Sequence, residues 1–94
     1  MKAYVEAKNA RELSKLLNIP IHEATKIEMR TNLVIGIKRA IERKKMTHEQ
    51  AAKATGMGRT VITAIVNGNL DKISTDRLID VAQALGLSVQ IKVA

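Results

Sequence analysis

Cysteine is absent from the 94 residues, which excludes disulfides, thiolate metal sites and cysteine nucleophiles. Aromatic residues are almost as scarce: Tyr4 stands alone, with no Phe and no Trp. A core must therefore be assembled from Leu, Ile, Val, Ala and Met. The same scarcity argues against a protein that stacks unpaired nucleic-acid bases, because such proteins need aromatic platforms. No apolar run approaches the roughly 18 residues that span a bilayer, and the N-terminus lacks the apolar stretch of a signal peptide. A soluble, cytoplasmic chain with no membrane partner is expected. Internal repeats, low-complexity tracts and interdomain linkers are also missing.

What is present points to one small domain. Hydrophobic residues make up 46% of the chain, enough for a packed core, and at 94 residues dimerisation would help to stabilise it. The net charge is +7. Residues 1–32 carry six basic and four acidic side chains (+2), residues 33–73 eight and three (+5), and residues 74–94 two and two (0). The excess sits in the middle of the chain. It suits a polyanionic partner, although charge alone fits a solvated helical surface equally well.

Helical signals run through most of the sequence. Asn9 with Glu12 has the form of a capping box, and Ala10, Leu13, Leu16 and Leu17 follow at helical spacing, which predicts a helix over 10–18. Pro20 ends it and fits the first turn of the next. Residues 21–31 look helical but are less cleanly periodic. Ile27, Val34 and Ile41 lie seven apart, so one helix over 21–45 competes with two. Thr31-Asn32 is a weak helical pair and Asn32 a good cap, so a break is expected there. Residues 1–32 would then be an N-terminal helical extension packed on the core. Residues 33–45 are amphipathic: Leu33, Val34, Ile37, Ala40 and Ile41 share a stripe, away from Lys38, Arg39, Glu42, Arg43 and Lys45. Without Trp or Phe anchors, that stripe is expected to pack in a core rather than on a membrane. Thr47 and Gln50 form a second capping box opening a helix over 48–55. Further helices are expected over 59–67, ended by Gly68, and over 75–85, capped by Ser74 and closed by Gly86.

Residues 47–68 carry the most information: two short helices joined by a turn containing glycine, the form of a helix-turn-helix. Ala52 would lie where the helices cross, where a larger side chain would force them apart. Gly56 would take the sharp turn that needs positive φ. Ile62 and Ile65 would point inward, with Ala51 and Met57 completing a small core. Arg59, Thr60, Thr63 and Asn67 would face outward from the second helix. Short polar groups and one Arg are the types that meet base edges and phosphates.

Residues 33–86 resemble the repressor-type helix-turn-helix domain of the XRE (Cro/C1) family. The run Gly56-Met-Gly-Arg-Thr-Val-Ile-Thr-Ala-Ile-Val-Asn-Gly68 is similar to the recognition-helix region of lambda-type repressors. The resemblance implies that Arg59, Thr60 and Thr63 face bases, that His48 touches a phosphate and braces Arg59, and that Asn67 contacts the DNA backbone. Lambda-type repressors carry an amide where this chain has Arg59, and Arg favours guanine, so the operator is expected to differ. The whole chain also resembles antitoxins of the host-inhibition-of-growth class. The cues are Asn9-Ala-Arg-Glu-Leu, Thr47-His-Glu-Gln-Ala-Ala, Ser74-Thr-Asp-Arg-Leu and the closing Gly86-Leu-Ser-Val-Gln-Ile-Lys-Val. That resemblance implies a small toxin as partner and an autoregulated operon.

The remaining features narrow the alternatives. His22 and His48 are far apart and lack metal-ligand spacing, so no metal is expected. Ser14, Ser74 and Ser88 have no nucleophile-elbow context, and Gly56-x-Gly58 lacks the third glycine of a dinucleotide fingerprint. Neither an enzyme nor a cofactor is indicated. Lys44, Lys45, Lys53 and Lys72 are candidate phosphate contacts, each to be weighed against plain solvated charge. Residues 87–93 alternate between apolar and polar, the pattern of a half-buried strand. Two copies could pair about a two-fold axis, burying Leu87, Val89, Ile91 and Val93 in a homodimer that sets two recognition helices one DNA turn apart. Pairing with residues 3–6, or with a strand of a toxin, is the rival arrangement. The expected architecture is thus mainly all-α. Five or six short helices include a lambda-repressor-like helix-turn-helix domain over 33–86, and residues 87–94 supply a dimerisation strand.

Overall fold

The computed structural model describes residues 10–90. They form five helices: α1 (Ala10–Leu17), α2 (Ile21–Arg43), α3 (His48–Thr55), α4 (Arg59–Val66) and α5 (Thr75–Ala84). The expected Asn9 cap, the candidate strand at 3–6, and Ile91 and Val93 lie outside the described residues. Among the described residues no helix is long and apolar enough to cross a membrane.

Pro20 occupies the N-cap of α2 with φ −57° and ψ 145°, and its carbonyl accepts from the N–H groups of Glu23 and Ala24. From there α2 runs for 23 residues without interruption. The break expected at Asn32 is absent. Thr31 and Asn32 each cost a helix only about 0.5 kcal/mol relative to alanine. Against that stands Arg30. Its guanidinium donates to Thr75 Oγ1 at 2.9 Å, to the Leu70 carbonyl at 2.9 Å and to the Ile73 carbonyl at 2.6 Å. These bonds tie the turn before the suspected break to the approach of α5, and a tertiary anchor of that strength outweighs a weak local propensity.

The core cluster begins at Leu33 and ends at Leu87. Its largest fully buried side chains are Leu33 and Ile37 of α2, Ile62 and Ile65 of α4, and Leu78, Val81 and Leu85 of α5 and its C-cap. Ala40, Ala51, Ala52 and Ala82 are buried between them, and such small side chains let helix backbones approach closely. The second half of α2 thus threads the bundle. Its first half carries α1 and contributes one buried hydrophobic residue, Ala24.

Gly86 closes α5 at φ 85°. Its N–H donates to the Gln83 carbonyl at 2.9 Å, and that of Leu87 to the Ala82 carbonyl at 3.0 Å, the paired bonds of a Schellman motif. The chain therefore doubles back. Leu87 is buried against its own bundle beside Gly36, and half-buried Val89 packs there too. Residues 87–90 form no strand, so the dimerisation strand drawn through Leu87 and Val89 is corrected. Alternating polarity reports an extended segment with one apolar side. Here that side is spent within the chain's own core.

Candidate nucleic-acid interface

The site is built from caps and turns around α3 and α4. Thr47 Oγ1 accepts from the Gln50 N–H at 3.1 Å while Gln50 Oε1 accepts from the Thr47 N–H at 2.8 Å, so a complete capping box fixes the start of α3. Gly56 ends α3 at φ 72°. A Cβ there would meet nothing within 4 Å, so the left-handed backbone, not lack of space, favours glycine. Thr55 Oγ1 donates to the Ala51 carbonyl at 2.8 Å and tightens the same turn. Met57 packs half-buried against the core, and Gly58 caps α4 in an extended conformation. Ile62 and Ile65 are fully buried on one side of α4, in the same core cluster as Ala51 and Ala52. Gly68, at φ 76°, ends the helix with a second Schellman motif: Gly68 donates to Ile65 at 3.0 Å and Asn69 to Ala64 at 2.9 Å.

This construction leaves one side of α4 outward. Arg59, Thr60 and Asn67 are exposed, and Thr63 between them is half-buried. At 100° per residue the four fall within one 100° arc. α4 is also the one described helix with no acidic residue in its first turn; α1, α2, α3 and α5 begin with Glu12, Glu23, Glu49 and Asp76. A helix start without a carboxylate suits an approaching phosphate.

A family model described as a helix-turn-helix domain matches residues 11–94. The chain belongs to that helix-turn-helix family. It is accordingly a DNA-binding regulator. No curated protein and no solved structure matches the chain.

Within the helix-turn-helix, two side chains make bonds that the sequence does not announce. His48 makes a hydrogen bond to Thr63, with Nδ1 2.9 Å from Oγ1. Thr63 lies one turn further along α4, level with the start of α3, whereas Arg59 opens the helix at the turn. Lys44, a candidate phosphate contact, instead donates from Nζ to the Leu85 carbonyl at 2.6 Å, where a cation complements the carbonyl end of α5. Lys45, Lys53 and Lys72 are exposed.

The helix-turn-helix also gains Lys38, Arg77 and Arg30, to which the sequence assigns no part in DNA binding. Lys38 and Lys45 line a hollow of about 260 Å³ with His48 and Val66, beside Glu42. Arg77 and Lys72 border another, of about 360 Å³, with Thr60, Val61 and Ala64, beside Asp71. Val66 and Ala64 lie on opposite flanks of α4, so cations stand on both sides of the outward face. Arg30 supports the same face indirectly, because the carbonyls it holds belong to the loop that carries Lys72. A signal for Arg30 existed: it stands seven residues before Ile37, in line with the buried stripe of α2. A cation on a buried stripe calls for a carbonyl or carboxylate partner.

Proposed function

We propose that this helix-turn-helix protein is a sequence-specific transcriptional repressor that lays α4 in the major groove, and that it is not an enzyme. Arg59, Thr60 and Thr63 meet base edges, with Arg59 bidentate to guanine O6 and N7. His48 through Nε2, Asn67, Lys53 and Lys72 meet phosphates, joined by Lys38 and Arg77. The observation that carries this reading is the non-acidic outward face of α4 with cations on both flanks. Two copies would occupy a pseudo-palindromic operator with half-sites one helical turn apart. The two kinds of contact separate in binding assays. Arg59→Ala is expected to cost about 1–3 kcal/mol and to relax one base position. Lys72→Ala is expected to weaken all sequences evenly and to reduce the salt slope of log Kd by about one. An Arg59→Ala protein that keeps full discrimination at every base overturns the assignment.

A second reading, an antitoxin that covers a small toxin and represses its own operon, is favoured by one observation. The first part of the chain exposes Leu16 at 82% and Leu17 at 51%, with Ile21, Ile27 and Ile35 also exposed. These side chains are surplus to a domain that only binds DNA. A neighbouring reading frame for a small toxin whose product copurifies with the chain supports this reading. An isolated gene counts against it.

A further inference from the structure

The bond between His48 and Thr63 couples a titratable ring to a hydroxyl on the outward face of α4. Nδ1 of the ring and Oγ1 of the threonine are 2.9 Å apart, and both side chains are half-buried. Neither backbone is loose. The capping box fixes the first turn of α3, and Thr63 follows the fully buried Ile62. Thr63 has one proton and two lone pairs to distribute between the ring and the base it faces.

The other ring nitrogen decides how. A phosphate oxygen only accepts hydrogen bonds, so a phosphate at Nε2 requires a proton on Nε2. A neutral ring with its proton there has a bare Nδ1, which takes the Thr63 proton. Thr63 then shows the base lone pairs alone. In the major groove these are satisfied by the amino groups of adenine or cytosine, while guanine and thymine present acceptors. A protonated ring donates from both nitrogens. Thr63 then accepts from Nδ1, and its own proton turns towards the base together with one lone pair.

We propose that His48 is a positioning residue that sets the hydrogen-bonding polarity of Thr63: the neutral ring makes Thr63 select a base bearing an amino group, and the protonated ring admits guanine or thymine as well. This deepens the DNA-reading function above and rests on it. Histidine is the side chain whose charge ordinarily changes between pH 5 and 8. The ring has charges of both signs about it. Lys38 and Glu42 of α2 and Lys45 of the following turn line the same hollow, Glu49 is its neighbour on α3, and Arg59 is the one ionisable side chain of α4.

The test uses the full chain and duplex DNA selected from a random pool at about pH 8, above the ordinary histidine range. Thr63→Val, which removes the hydroxyl at nearly constant volume, identifies the facing position as the one whose base preference it erases. Four duplexes differing at that position are then compared at about pH 8 and about pH 5.5. The amino-bearing base is expected to be preferred about 5-fold at the higher pH, the worth of one hydrogen bond, and less than about 2-fold at the lower. Tighter binding of all four at low pH reports the added charge at a phosphate and leaves the ratio untouched. His48→Gln, which does not titrate, is expected to give one ratio at both pH values. A pH-independent ratio in the unaltered chain overturns the proposal, as does a pH-dependent one that persists in His48→Gln. Should that variant not fold, a pH dependence that survives in Thr63→Val does the same. Enrichment of no sequence at all is a different failure, that of the DNA-reading function itself.

Discussion

Residues 10–32 and 33–87 use their apolar side chains in opposite ways. In the later region α2, α3, α4 and α5 all send residues into one cluster, and its large aliphatic members are sealed from solvent. In the earlier region α1 packs on α2, Ala24 is the one fully buried hydrophobic residue among those whose burial is described, and Leu16 is 82% exposed. One helix, α2, belongs to both. The contrast teaches that the DNA-facing unit owes its rigidity to the later region, while the earlier one is attached to it through a shared helix and through Arg30.

The sharpest way to break that contrast is truncation on each side. Leu78→Ala empties a fully buried site and is expected to cost about 2–5 kcal/mol in urea unfolding. Leu16→Ala removes an exposed side chain and is expected to change stability by less than about 0.5 kcal/mol. Comparable losses would show that both regions share one core. Arg30→Ala comes next. Three hydrogen bonds from one cation are lost together, and about 1.5–3 kcal/mol should go with them. A neutral result would mean that the earlier region does not brace the loop after α4. Gly68→Ala should cost about 1 kcal/mol through backbone strain at φ 76°, since the added Cβ meets no neighbour within 4 Å. The smallest effect is expected at exposed Thr31, where Thr31→Ala should raise the midpoint by the equivalent of about 0.5 kcal/mol if α2 is continuous. A helix that begins after Asn32 would show no such gain.

The same division governs how far the sequence alone could reach. The Thr47–Gln50 capping box, the left-handed Gly56 and Gly68, and the Ser74 cap act over three to six residues, so their signals are complete within a short window. The helices they delimit were therefore readable, and with them the outward row from Arg59 to Asn67. The continuity of α2 was not, because Arg30 finds its partners 40 to 45 positions away. The bond of His48 to Thr63 is not legible for a related reason: it depends on the angle at which α3 meets α4, which no local pattern encodes. At the C-terminal end the alternation of Leu87 and Val89 marks their burial, yet residues 87–90 form no strand, since a core and a partner strand ask for the same pattern.

The central claim is that α4 reads duplex DNA through Arg59 and its neighbours. Selection of bound duplexes from a random pool by the full chain tests it most directly. The account predicts enrichment of a short motif containing a guanine whose selection disappears in Arg59→Ala. A pool that remains random after selection, or a motif unchanged in that variant, would contradict it.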